Sequence, residues 1–202
     1  MTLIGTQRIV IGMYDGFGMD YLEASTLPSL RLMAEKGFFK RVNAVFPTVT
    51  NANNASICCG AWPKEHGITG NSYFNEQTGK ADYMESADFI RMPTIIQRAA
   101  SAGVRSALLT CKVKTIHLLG RGAEIAVAAE APPPGWAERY GNPANIYSRE
   151  INYWLASCHR HSQAPSRYWS LVRPHHGLPN AYLGAGSTGV ERAPGRARPS
   201  LG

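Results

Sequence analysis

FPTVTNANNASICCG, residues Phe46 to Gly60, is the stretch from which the fold can be read. Val42, Ala44 and Phe46 recur at a period of two, so Phe38 to Phe46 reads as a strand. Pro47 ends it, because proline offers no donor to a ladder. Thr50 is followed by Asn51, Asn53 and Asn54 and then by the small and apolar Ala55, Ile57, Cys58 and Cys59. This is a helix of two to three turns, with Thr50 as N-cap and Gly60 just past its end. Taken alone it is a capped helix and nothing more; its meaning depends on the rest of the chain.

Upstream, Arg8 to Tyr14 (RIVIGMY) is nearly continuous in apolar residues, the pattern of a strand buried on both faces of a parallel sheet. It runs into Asp15-Gly16, a turn just past the carboxyl end of a first strand, where α/β folds place ligands. Leu27-Pro28 opens a helix that Gly37 closes. Downstream, Trp62 to Asn71 reads as a loop in which His66 lacks a partner at ligand spacing and orders the chain instead. Pro93 to Gly103 is helical, Ser106 to Cys111 (SALLTC) is a buried strand, Glu124 to Ala131 is a short apolar segment, and Asn145 to Leu155 is an amphipathic helix. Alternating strands and helices give an α/β sandwich with parallel strands. Lys112 and Lys114 follow the SALLTC strand directly; extended geometry would send both ammonium groups to one side, although lysines also guard strand ends.

Composition sets the class. The 202 residues are 44% hydrophobic and 17% charged, as in a globular domain, and no apolar run approaches a membrane span. No signal peptide is visible, and Cys58, Cys59, Cys111 and Cys158 form no C-x-x-C, so a reducing cytoplasm is expected. The net charge of +7 is not a nucleic-acid signature, because residues 157–202 carry six Arg and one Glu and so account for most of it.

That tail also lacks Lys, Asp, Ile, Phe and Met while holding six Gly, six Ser, five Pro and four His. It resembles a GC-rich gene translated out of frame. Synonymous back-translation from Cys158, read from the second base of each codon, permits a text that continues the helix and adds an apolar strand. An Asp and a His four apart follow that strand. The expectation is a frameshift near residues 155–158. Residues 1–156 would then be the N-terminal part of the domain, and 157–202 a disordered tail. His159, His161, His175 and His176 receive no role.

Asp15 after the first strand, F-P-T-V-T-N-A-N-N heading a helix, and H-G-I-T-G-N ending in Asn71 together resemble the alkaline phosphatase superfamily. Within it they are similar to the branch of phosphonoacetate hydrolases and nucleotide pyrophosphatases/phosphodiesterases, over residues 8–156. The lysine pair favours the phosphonoacetate hydrolases. The resemblance implies a three-layer α/β/α sandwich with a mostly parallel sheet, here its N-terminal part. It implies two divalent metal ions, zinc by preference, with Asp15 and Thr50 as ligands. Thr50 would be the nucleophile, Asn71 a donor to a phosphoryl oxygen, and Lys112 and Lys114 the holders of the substrate carboxylate. The reaction implied is hydrolysis of the C–P bond of phosphonoacetate, in phosphonate catabolism. A phosphodiesterase of the same fold, and a non-catalytic remnant with a basic, anion-adhering tail, are the alternatives. The resemblance also implies about six Asp and His ligands, mostly from later sequence, so the chain as written is expected to be truncated and inactive. Expected partners are a small-molecule phosphonate and a second copy of the chain, with no nucleic acid and no membrane.

Overall fold

The structure is a computed structural model, and it describes residues 9–162 and 169–173. Strand β1 is Val10–Gly12, followed by helices α1 (Met19–Ala24) and α2 (Pro28–Lys36). Helix α3 is Thr50–Cys59 and α4 is Pro63–His66. Strands β2 (Ser72–Asn75) and β3 (Lys80–Tyr83) form an antiparallel hairpin, and a 3-10 turn at Ala87–Phe89 leads to α5 (Ile95–Ser101). Then come β4 (Ser106–Thr110), α6 (Val113–Leu119), β5 (Ile125–Ala128), α7 (Trp136–Tyr140), α8 (Glu150–Ser162) and β6 (Trp169–Arg173).

The main sheet has the order β1-β6-β4-β5, and all three pairings are parallel. Strand β4 is its centre of gravity, because every one of its residues is buried. Leu108 packs with Ala55, Ile68, Ile96 and Leu118, from the side of α3, α5 and α6. Ala107 and Leu109, one residue away on a strand of period two, pack with Val127, Ile151, Trp154 and Leu155 from the side of α8. Helices therefore cover both faces, which is why SALLTC carries no polar alternation. This is the alkaline-phosphatase-like three-layer α/β/α architecture. Among the described residues no helix is long and apolar enough to cross a membrane.

Several expectations are corrected. Residues 38–46 form no strand: Phe38, Val42 and Phe46 are 85%, 76% and 91% exposed, and the Val45 N–H donates to the Asn53 side chain at 3.2 Å. A period of two specifies a strand only where a ladder and a buried face exist to receive it, and here the backbone donor goes to a side chain instead. Strand β1 is shorter than Arg8 to Tyr14 and lies at the sheet edge, with Val10 47% exposed, so it is not buried on both faces. The 62–71 loop contains α4, closed by Gly67 in the left-handed region at φ 85°. The expected division at 156/157 falls within a helix. Helix α8 crosses it and ends at Ser162, and β6 enters the sheet between β1 and β4. Residues 163–168 and 174–202 lie outside the described residues, as does whatever the reading of a disordered tail says of them.

Candidate active site

The first turn of α3 collects the candidate residues. The N-cap is Val49, in extended conformation (φ −91°, ψ 154°), and Thr50 is the first helical residue, so Thr50 is not the cap the sequence suggested. That shift of one position matters chemically, because the Thr50 hydroxyl is not spent on the helix's own N–H groups. It donates instead to Asp15 Oδ2 at 3.2 Å, a long contact for O–H···O. Asp15 lies three residues past the end of β1, so strand end and helix start meet as anticipated. At the other end, Gly60 (φ 63°) closes the helix, its N–H donating to Ser56 O at 2.9 Å.

Asn71 reaches the same turn by a different route. The β2–β3 hairpin brings its two flanks together, and Met84 N–H donates to Asn71 O at 2.8 Å. The Asn71 side chain then accepts from Asn51 N–H through Oδ1 at 3.0 Å, satisfying one of the donors that a helix N-terminus leaves open. With Oδ1 fixed, the Nδ2 end of the amide is its donor end. Asn51 completes the frame by donating its own Nδ2 to Met84 O at 2.8 Å. Sequence reasoning gave Asn51 no role; the signal lay in the repeated asparagines of TNANN, each with a separate duty. Asn53 holds Val45 and Val49 through its side chain.

The lysine pair is arranged otherwise than expected. The chain stays extended only as far as Lys112 (φ −113°, ψ 135°), which is the N-cap of α6, and Val113 begins the helix. The two ammonium groups consequently have different neighbours. Lys112 Nζ lies 5.5 Å from the centre of the Tyr147 ring, whereas Lys114 Nζ lies 3.2 Å from the centre of the Tyr83 ring and 3.6 Å from Glu85 Oε2. Lys114 thus meets the two residues that flank Met84 in the chain, the residue that braces Asn51 and Asn71, whereas Lys112 lies beside Tyr147.

His66 performs the ordering role expected of it. It is fully buried; its Nδ1 accepts from Ile68 N–H at 3.1 Å and its Nε2 lies 2.8 Å from Ser56 Oγ. An accepting Nδ1 leaves the ring proton at Nε2, donated to the serine. Burial pushes its pKa below the ordinary 6.5, with the Glu65 charge opposing. Burial also raises the Cys58 thiol to about 12, with the charge of Cys59 adding to the rise. Burial raises the Cys59 thiol as well, so both are held in the protonated form that is the poorer nucleophile.

As a metal site the described residues are incomplete. Asp15 and Thr50 present oxygens to one another, but among the described residues no three His, Cys, Asp or Glu side chains gather to hold an ion. Zinc takes three or four protein ligands, so one carboxylate and one hydroxyl do not amount to its sphere.

Comparison with known proteins places this geometry. The chain is similar to a phosphonoacetate hydrolase from Sinorhizobium meliloti 1021, solved in complex with phosphonoacetate: 29% identity and a TM-score of 0.71 over 82% of this chain and 46% of that one. Murine ectonucleotide pyrophosphatase/phosphodiesterase 5 shares the fold, at 16% identity and a TM-score of 0.51, over 83% of this chain and 43% of that one. An ectonucleotide pyrophosphatase/phosphodiesterase of Caenorhabditis elegans, C27A7.3, is 41% identical over 71 residues, or 35% of this chain and 10% of its own length. The mouse bis(5'-adenosyl)-triphosphatase enpp4 is 37% identical over 82 residues, 40% of this chain and 18% of its own. The chain thus spans under half the length of the proteins it matches. The model of the type I phosphodiesterase / nucleotide pyrophosphatase family matches residues 9–172, through the strand end at Asp15, the Thr50 helix and the Asn71 hairpin, and the chain belongs to that family.

Proposed function

We propose that this chain is the nucleophile-bearing part of a hydrolase that cleaves the C–P bond of phosphonoacetate to acetate and phosphate. The observation that carries this reading is the Thr50 hydroxyl, free of capping duty on the first turn of α3 and 3.2 Å from Asp15 Oδ2. A helix N-terminus supplies free N–H groups and partial positive charge to phosphoryl oxygens. Thr50 Oγ1 attacks phosphorus and the C–P bond breaks. Its electron pair passes to the methylene carbon, which takes up a proton to give acetate. Water then releases phosphate from the threonine. The Asn71 amide, oriented by Asn51 N–H, donates to a phosphoryl oxygen as negative charge builds. Lys114 and Lys112 hold the acetate carboxylate, and the rhizobial enzyme solved with phosphonoacetate supports that substrate class.

Two divalent ions, zinc by ligand preference, belong to this reading, and a bound ion supplies charge neutralisation and acidifies the hydroxyl. Asp15 and Thr50 would be this region's contribution; the described residues do not complete the sphere. A cytoplasmic location accords with four buried cysteines and no C-x-x-C spacing. The partners proposed are a small phosphonate and a second copy of the chain, rather than nucleic acid or membrane.

A second reading, hydrolysis of phosphodiesters or nucleotide pyrophosphates, is favoured by the family match and by the 37% and 41% identical relatives. The test is product release from phosphonoacetate and from an aryl phosphodiester, with added zinc. It is run on the 202-residue chain and on a version with the frame restored from residue 158. Phosphonoacetate turnover by the second version alone is expected. Preferred turnover of the diester sinks C–P cleavage in favour of the second reading. Equal turnover by both versions overturns the out-of-frame reading of 157–202. Silence from both leaves the non-catalytic remnant, whose basic tail should then bind anions with a steep salt dependence.

A further inference from the structure

We infer that Tyr83 and Glu85 form a seat for the Lys114 ammonium and that Glu85 is a positioning residue for recognition of a substrate carboxylate. The inference rests on the reading of Lys114 as the group that holds that carboxylate.

The seat follows from the strand geometry at the end of β3. Tyr83 is its last residue, and Met84 turns into the core beside Ile68, Ile96 and Leu108. Residues 83 and 85 flank it, and both meet Lys114: the Tyr83 ring centre lies 3.2 Å from Nζ, and Glu85 Oε2 lies 3.6 Å from it. An ammonium over an aromatic face is attracted by the ring quadrupole but keeps its N–H groups. The carboxylate contact acts in the same way. At 3.6 Å it lies within ion-pair reach and beyond hydrogen-bond length, and Glu85 Oε2 is buried with no hydrogen-bond partner. Tyr83 and Glu85 therefore hold the charge in place while neither takes a hydrogen bond of normal length to an oxygen from the ammonium. Such bonds remain for a ligand.

The magnitude of the pair separates this role from a folding role. The Lys114 and Glu85 side chains are 48% and 38% exposed although Oε2 itself is buried, and an ion pair at 3.6 Å between side chains so placed adds little to folding stability. Its consequence is placement. The backbone between the two seat residues is fixed by the same contacts that fix the active site, since Met84 O accepts from Asn51 and Met84 N–H donates to Asn71 O. Lys114 is thereby referenced to the first turn of α3, although it comes from α6. Lys112, whose ring neighbour is Tyr147, has no such reference and is the lesser determinant.

The test uses the frame-restored protein with added zinc and compares wild type, Glu85→Gln and Glu85→Asp. Titration calorimetry reads the Kd for phosphonoacetate and for methylphosphonate, the same phosphonate without a carboxylate. Glu85→Gln should weaken phosphonoacetate about tenfold and change methylphosphonate by less than about twofold, and Glu85→Asp should recover most of the loss. Equal weakening of both ligands makes Glu85 merely structural and overturns the inference, as does no weakening of either. A wild type that fails to distinguish the two ligands counts against the phosphonoacetate reading alone. The seat is then judged by the ¹³C resonance of reductively methylated Lys114, assigned with Lys114→Arg. That resonance should be displaced by the Tyr83 ring current in wild type and should move towards the other lysines in Glu85→Gln. An unmoved resonance overturns the seat.

Discussion

Helices α3 and α6 pack against one another in the same layer, yet their N-termini are finished in opposite ways. At α6 the Val113 N–H donates to Glu130 Oε2 at 2.9 Å, so a carboxylate from the far end of β5 meets the positive end of the helix. At α3 the corresponding acceptor for Asn51 N–H is a neutral amide, Asn71, and the first turn holds no acidic residue. A helix N-terminus carries roughly half a positive charge. At α6 a carboxylate accepts directly from the backbone; at α3 the backbone N–H of Asn51 meets a neutral amide, and the nearby carboxylate, Asp15, accepts from the Thr50 hydroxyl instead. Under the proposed function the two adjacent helix starts would divide the work, α3 presenting the Thr50 hydroxyl and α6 the lysine side chains.

The comparison breaks if the two ends prove interchangeable in catalysis. In the frame-restored protein, Thr50→Ala should lower kcat by at least about 10³-fold, since no other group replaces a covalent nucleophile. Glu130→Gln, at the other helix, should change kcat by less than about threefold. Comparable losses, measured as phosphate release at saturating phosphonoacetate, would show that α3 is not the reacting end.

Next in size is the division between the two lysines. Losing a charged hydrogen bond costs about 1.5–3 kcal/mol, so Lys114→Ala should raise KM for phosphonoacetate about tenfold or more. Lys112→Ala should do less, because its side chain lies beside Tyr147 and not in the Tyr83–Glu85 seat. Hydrolysis of an aryl phosphodiester, with no carboxylate to hold, should be nearly indifferent to both. Equal penalties on both substrates would make the lysines structural.

Which of these features could be read in advance follows from how many constraints each residue carries. Strand β4 was legible because burial on both faces removes every polar residue from its interior, an unambiguous pattern. Helix α3 was legible from Gly60 and the turn before it, whereas the meeting of Asp15 with Thr50 was implied by the family resemblance and not by the residues taken singly. The N-cap was misplaced by one residue because Thr50 is a good cap by type, and only the engagement of its hydroxyl by Asp15 reveals another duty. Residues 38–46 misled because alternation describes a side-chain pattern and not the presence of a neighbouring strand. The lysines misled for a related reason: nothing in Cys111-Lys112-Val113-Lys114 says whether the strand continues, and Glu130, seventeen residues on from Val113, caps a helix there instead. The seat at Tyr83 and Glu85 depends on a hairpin whose only local signals are Asn75 and Gly79 at its turn.

Stability should sharpen the contrast further. Asn71→Ala removes a neutral cap, at about 1 kcal/mol, and Glu130→Gln removes a charge from a helix terminus, at about 0.3–1 kcal/mol. The sizes overlap, but the salt dependence does not. Urea midpoints in low salt and in 0.5 M salt should show the Glu130→Gln penalty shrinking as the charge–dipole term is screened, while the Asn71→Ala penalty persists. Parallel salt responses would mean that Asn71 acts through charge rather than through its hydrogen bond.

The smallest expected effect is a difference in how the two helices answer acid. His66 is buried neutral against α3, accepting from Ile68 N–H and facing Ser56, and burial holds its pKa below 6.5. The unfolded chain therefore binds the proton more readily than the folded one, so stability is level above about pH 6.5 and declines as pH falls below it. His159, lowered by burial on α8, adds a decline of the same sign. Protonation of His66 also removes the lone pair on Nδ1, so Ile68 N–H loses its acceptor and the loop that braces α3 loosens. Hydrogen exchange corrected for intrinsic rates should show amides of α3, whose Ser56 meets the ring, losing protection between pH 7 and pH 5 more than those of α6. His66→Gln should lower Tm at pH 8 and flatten its pH dependence, leaving only the share due to His159. If α3 and α6 instead lose protection together, or if the profile of His66→Gln keeps its full slope, His66 is not the acid-sensitive brace of the catalytic helix. The two N-termini would then differ in chemistry but not in how firmly they are seated.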